Sequence, residues 1–229
     1  PQVAVPLRTY ASLLEAYGRR RRGDIDGAKA RVKKLGFIGK WQVVGPFDNE
    51  GKAGLDRPFE PEVDADGPGS QKPFDGKERP VRWRLSPTSA DFGWTDLGSV
   101  VRPAEKTCAY AATYVRDAKL GKGGSRPISL WVGAAGAIRV FWNGKEVVRD
   151  PKYRSLDDGR PAANVVLESG WNRVLVKACG DEDAPLFSVR LADDKGAPDP
   201  KLESSPDPAH HAEAQAKLDE TVVKLAPYQ

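Results

Sequence analysis

The sequence predicts a mainly β protein built as an antiparallel β-sandwich, and three observations carry that expectation. Residues 107–192 contain five short runs: TCAYAATYVR, PISLWVG, AIRVFWNGKEVVR, NVVLESGWNRVLVKAC and LFSVRLADDKG. Side chains in these runs alternate with a period of two, as a strand with one buried face requires. Asn143-Gly144 then sits between Phe141-Trp142 and Glu146-Val147-Val148. A type I′ hairpin turn needs positive φ at both central residues, so that dipeptide reads as a hairpin.

The chain begins with helices. Leu7, Tyr10, Leu14 and Tyr17 repeat at helical spacing, Gly23-Asp24 breaks the pattern, and Ile25, Ala28, Val32 and Leu35 resume it. Asp24 suits an N-cap and Gly36 a C-terminal stop, so residues 1–36 read as a helical hairpin. The stretch AYGRRRRGDIDGAKARVKKLG resembles one tetratricopeptide-type unit. One such unit cannot bury its own apolar face, and must dock on the β domain or on further repeats.

Trp41 and Val43 form a strand ended by Gly45-Pro46. Residues 48–77 are rich in Gly, Pro and charge and read as an irregular crossing loop whose acidic cluster (Asp48, Asn49, Glu50, Asp56, Glu60, Glu62) is solvated. PVRWRL and GWTDLGSV add two strand candidates. In TCAYAATYV, Cys108, Tyr110, Ala112 and Tyr114 share one face. In AIRVFWNG, Ile138, Val140 and Trp142 do the same. In WNRVLVKAC, Asn172, Val174, Val176 and Ala178 form the buried set, and Arg173 and Lys177 mark the wetter side. Gly133 and Gly136 around Ala134-Ala135 read as a turn. The sandwich thus covers residues 37–198. Residues 199–229 form a linker and a C-terminal helix, capped by Asp207 with Pro208 in its first turn.

Composition narrows the function. The 229 residues are 39% hydrophobic and 30% charged, which describes a globular chain. No apolar stretch approaches the ~20 residues of a membrane span. The formal charge is +4, and Arg19, Arg20, Arg21 and Arg22 alone equal it, so no extended basic face exists to follow a nucleic acid. The four arginines suit the negative C-terminus of a helix. The chain starts at Pro1 and holds no methionine, which reads as a piece of a larger parent chain. Cys108 and Cys179 each lie in a strand. Two readings stay open for them, one disulfide or two buried thiols, and the disulfide would favour an oxidising setting.

Chemistry-bearing patterns are sparse. With two cysteines out of CxxC spacing and only two histidines, no metal site is indicated. A nucleophile needs a base, and the two histidines, His210 and His211, are adjacent on a helix and point apart, reading as a solvated helix start. GKGGS at 121–125 lacks the Lys-Ser/Thr of a phosphate loop. Catalytic residues are therefore not assigned. For ligand binding the aromatic residues matter, because an aromatic face stacks on a sugar ring while polar neighbours orient it. Trp41, Trp83, Trp142 and Trp171 lie in strand patterns and read as core. Trp94, after Phe92-Gly93, and Tyr153, in the loop KYRSLDDGR with Asp157 and Asp158, are the candidate ligand-binding residues.

Taken together, WQVVGPFDNEGKAGLD, TCAYAATYV, WVGAAGAIRVFWNGKEVV, LESGWNRVLVKAC and FSVRLADDKGAP resemble a pattern found in large bacterial envelope proteins. Those proteins carry tetratricopeptide-like helices, a galactose-binding-like jelly-roll domain and often a transglutaminase-like domain. The resemblance covers roughly residues 36–198. It implies a jelly roll of nine or ten strands in a periplasmic or extracellular setting. It also implies an accessory role without a cofactor or catalysis of its own. Two functions follow, a binding module for a glycan or a structural module for a partner protein. A glycan module calls for an exposed aromatic beside carboxylates in a concave site. A structural module calls for an apolar surface on the helices or on a flat sheet face.

Overall fold

A computed structural model describes residues 5–87, 90–156 and 161–217. Helices α1 (Val5–Arg21) and α2 (Ile25–Lys33) form an antiparallel pair. The Asp24 carboxylate accepts from the Gly27 amide at 3.0 Å and starts α2. The pair packs through Leu13, Ala16, Val32 and Leu35. Of the stripe expected to pack inward, Tyr17 does pack against this cluster, whereas Leu7, Tyr10 and Leu14 are 60%, 52% and 50% exposed. Ala16 and Ala28, both fully buried, explain the rotation: small side chains let two helices approach closely.

The strands are β1 (Gln42–Asp48), β2 (Phe74–Asp75), β3 (Pro80–Val81), β4 (Arg84–Leu85), β5 (Thr95–Asp96), β6 (Thr107–Asp117), β7 (Ser125–Ala135), β8 (Ala137–Trp142), β9 (Lys145–Asp150), β10 (Ala162–Glu168), β11 (Asn172–Cys179), β12 (Leu186–Asp193) and β13 (Leu202–Ser205); β2 and β3 pair only with each other, and the rest build an antiparallel sandwich. One sheet runs β4-β1-β6-β11-β8-β9, with β13 continuing the edge of β6 beyond β1. The other runs β10-β7-β12-β5. Asn143 (φ 44) and Gly144 (φ 80) turn β8 into β9 as the hairpin requires. Gly133 lies inside β7, opposite Ser188, so it is no part of a turn. Gly136 alone makes the corner where the chain leaves one sheet for the other. Its φ is 88°, and a Cβ there would come within 2.2 Å of the Cys179 carbonyl oxygen.

Between the sheets lies an apolar core. Val43, Ala109, Ala111, Val140, Val174 and Val176 meet Ile128, Leu130, Val132, Phe187, Val189 and Leu191. Trp41 adds an edge contact to Phe187, with ring centroids 5.2 Å apart. Each fully buried Val or Leu side chain contributes about 1.5–3 kcal/mol of transfer free energy.

The opposite face of the larger sheet is buried as well, against the expectation of one wet face. Residues 49–83 fold across it in short 3-10 turns and set Leu55, Phe59, Phe74, Val81 and Trp83 on Phe47, Tyr110, Phe141 and Leu175. Arg173 and Lys177 are consequently buried. The acidic loop is not simply solvated: Asn49 is fully buried, and the Glu62 side chain is 9% exposed. A disulfide joins Cys108 to Cys179 on this face, where the two residues sit opposite each other on β6 and β11.

The C-terminal segment completes the cover. The Asp207 carboxylate accepts from the Ala209 amide at 2.9 Å, and residues 211–217 are helical. His210 and His211 are not a solvated helix start. His210 stacks on Trp171 with centroids 3.9 Å apart, while His211 is buried between Tyr114 and the Ala65 carbonyl. Both rings lie edge-on to Tyr114, with centroids 6.0 and 6.2 Å away. Among the described residues no helix is long and apolar enough to cross a membrane.

Candidate ligand groove at the hairpin–sandwich junction

The helical pair is pinned to the sandwich just after α2. Gly36 and Ile38 bond along β12: Leu191 donates its amide to Gly36 and Ile38 donates to Val189, both at 2.9 Å. The loop before β5 comes up against α1. Gly93 (φ 91) turns this loop sharply, and a Cβ there would press on the Phe37 ring at 3.3 Å. The turn carries Phe92 and Trp94 to the junction. The Trp94 indole donates to the Tyr17 hydroxyl at 2.6 Å, so α1 fixes the ring.

The result is a groove of about 730 Å³, lined by Tyr17, Arg20, Arg21, Asp91, Phe92, Trp94, Asp96, Leu156 and Leu186. Trp94 is half-buried. The Arg20 guanidinium lies 4.3 Å from the centre of the Phe92 ring. Asp91 holds Lys29 at 2.7 Å, and this partner raises the Lys29 pKa, first through the hydrogen bond and then through charge. Asp96 turns one oxygen toward the Gly98 amide at 2.8 Å. Aromatic surface, carboxylates and cations therefore share one concave site, which can stack a ring and hydrogen-bond its hydroxyls.

Tyr153 does not join Trp94. It borders a second hollow of about 310 Å³ with Lys52, Arg154, Asp181, Glu182 and Asp183. Its hydroxyl exchanges hydrogen bonds with the Asn49 amide at 2.9 and 3.2 Å, and burial raises its pKa. The Lys52 ammonium lies 4.9 Å from its ring centre. These contacts tie the 151–156 loop to the covering segment. Leu156, further along that loop, reaches the Trp94 groove. Asp157 and Asp158 lie outside the described residues.

A buried charged cluster under residues 49–83 is the other chemically dense place. Glu62 accepts from the Lys177 ammonium at 2.9 Å and from the Tyr110 hydroxyl at 2.6 Å, with Arg139 at 3.5 Å. Lys177 also donates to the Arg57 carbonyl. Burial lowers the Lys177 pKa, opposed by Glu62, and raises that of Tyr110. Every charge here is spent on an internal partner, so the cluster joins the cover to the sheet. Among the described residues no group of three His, Cys, Asp or Glu side chains is placed to hold a metal ion.

The sequence singled out Trp94 from its turn, but missed Tyr17, Arg20 and Arg21 as its neighbours. Only the docking of α1 on the loop brings them together. Their helical spacing on the side of Leu13 and Ala16 was the available signal.

No family model matches the chain, and no curated protein sequence does. Solved structures give shallow likenesses. The PA14 domain of MpAFP antifreeze protein matches over 43% of this chain at 18% identity and a TM-score of 0.32. An anti-sigma factor domain-containing protein matches over 70% at 11% identity and a TM-score of 0.38. A beta-glucosidase from Kluyveromyces marxianus, in complex with glucose, matches over 82% at 12% identity and a TM-score of 0.32. The matched parts span 52%, 48% and 19% of those chains, below two thirds in each. Likenesses this shallow carry no argument about this chain.

Proposed function

We propose that the chain is a non-catalytic binding module that takes a carbohydrate in the Trp94 groove. The observation that carries this reading is the half-buried indole fixed by Tyr17 in a concave site beside Asp91 and Asp96. The apolar face of a sugar ring stacks on an indole, and carboxylates accept its hydroxyls. A periplasmic or extracellular setting fits the Cys108–Cys179 disulfide, since such bonds persist in oxidising compartments. The test is a panel of glycans followed by tryptophan fluorescence and calorimetry. Binding by the intact protein, weakened roughly tenfold or more in Trp94→Ala, supports the reading. Binding that Trp94→Ala leaves unchanged contradicts it.

A second reading, a structural module for protein–protein contact, rests on the outer stripe of α1. Leu7, Tyr10 and Leu14 stand exposed at helical spacing, with Ile25 of α2 also exposed. Replacing Tyr10 and Leu14 with Lys would abolish such a contact while leaving glycan binding intact.

A further inference from the structure

The groove has a neighbour across Asp91. A third hollow of about 470 Å³ lies between α2 and the sandwich, where Lys29, Lys33 and Lys40 surround Phe37, Ala90 and Pro206. Asp91 lines both hollows, so they meet at the Lys29–Asp91 ion pair. Among the described residues their linings together hold five cations, Arg20, Arg21, Lys29, Lys33 and Lys40, against two carboxylates, Asp91 and Asp96. The difference of +3 at this junction compares with +4 for the whole chain. The described linings of the two hollows thus carry a net positive charge beside the aromatic groove.

We infer that the two hollows form one track for an anionic polysaccharide, carrying carboxylate or sulfate groups. This rests on the carbohydrate reading of the Trp94 groove and adds the ligand's charge and length. A single neutral sugar would use Trp94 and have no need of the lysines. A chain of acidic sugars stacks one ring on Trp94, sets an anionic group toward Arg20 and Arg21, and lays a further residue past Asp91 toward Lys33 and Lys40. Arg20 is suited to this because its guanidinium is already seated on Phe92 and loses little freedom on binding. A nucleic acid fits less well. Asp91 and Asp96 stand in the track, where they repel a continuous phosphate backbone but accept hydroxyls from sugar rings that carry charge only at intervals.

The test is calorimetry of the full chain with polygalacturonate, chondroitin sulfate, dextran, polyglutamate and single-stranded DNA, at low salt and at about 0.15 M. Trp94→Ala and the exposed-site double variant Lys33→Glu with Lys40→Glu are measured alongside, with circular dichroism to check the fold. The inference expects one or both acidic glycans to bind more tightly than dextran, with an affinity that falls as salt rises. It also expects the lysine double variant to lose about tenfold. Preference between the first two probes identifies carboxylate or sulfate as the recognised group. Dextran binding as tightly as the acidic glycans, with the lysine variant unaffected, overturns the anionic track and leaves the carbohydrate reading standing. Equal binding of polyglutamate or DNA, indifferent to Trp94→Ala, overturns the choice of a glycan. Binding to none of the glycans overturns both readings.

Discussion

The two faces of the larger sheet are both dry, but they are dry for different reasons. The inner face meets the second sheet through Val, Ala, Ile and Leu side chains, and its cohesion is a matter of volume and area. The outer face meets an irregular segment, and there the apolar contacts are interleaved with Lys177, Glu62, Arg139, Arg173 and His211. A packed hydrophobic face tolerates exchange of one aliphatic residue for another. A face sealed in part by charges does not, because a buried charge such as Lys177 depends on a particular partner, here Glu62. A lysine in strand alternation therefore marks the non-core side of a sheet without showing that side to be wet.

The largest expected effect belongs to the disulfide. Cys108 and Cys179 sit on the outer face and are 71 residues apart in sequence. Replacing both with Ala should cost about 4 kcal/mol on the chain-entropy account, read as a lower denaturation midpoint. A change within experimental error would show that the cover holds without the covalent link. Lys177→Met comes next. It leaves the Glu62 carboxylate with the Tyr110 hydroxyl and with Arg139 at 3.5 Å, its closest cation gone, and should cost up to about 3 kcal/mol. Adding Glu62→Leu should recover part of that loss, since the buried carboxylate is then gone and Arg139 keeps its pair with Glu146. If the double variant is no better than Lys177→Met alone, the outer face behaves like the inner one, as volume only.

The smallest effect concerns pH. Burial, with the Arg173 charge, holds His211 below the usual histidine range, while its bond to the Ala65 carbonyl and the charges of Asp64 and Asp66 oppose this. Tyr114 faces the ring from β6. The unfolded chain therefore takes up a proton near pH 6.5 that the folded chain resists. Stability falls as the pH drops below that value, and stops falling below the folded-state pKa. His211→Gln should flatten this part of the profile, by about 2 °C in Tm between pH 7.5 and 5.5. An identical profile in the variant would place the titration elsewhere.

The same contrast shows which parts of the fold were legible in the sequence. Val174, Val176 and Ala178 point to the core as their spacing requires, and Asn143-Gly144 turns as only such a dipeptide readily can. Local rules of this kind act between neighbours along the chain. What covers Arg173 and Lys177 is set by residues more than a hundred positions away, as in the Lys177–Glu62 and Lys177–Arg57 contacts. The scattered Leu55, Phe59, Phe74 and Trp83 were the only hint that the Gly- and Pro-rich loop has an apolar underside. The site divides in the same way. Trp94 could be picked out from its turn, whereas Tyr17, Arg20 and the lysines of α2 reach it only through docking of the helices. That docking in turn depended on Leu13 and Ala16, rather than Leu14 and Tyr10, facing inward.

Lysine acylation read by mass spectrometry, with and without polygalacturonate, can separate charge that is structural beneath the cover from charge that is receptive at the hairpin junction. Lys177 should stay unmodified in both conditions, and Lys33 and Lys40 should react freely alone and be shielded by the glycan. Ready modification of Lys177 in the native protein, or unchanged reactivity of Lys33 and Lys40 with the glycan present, would contradict that division.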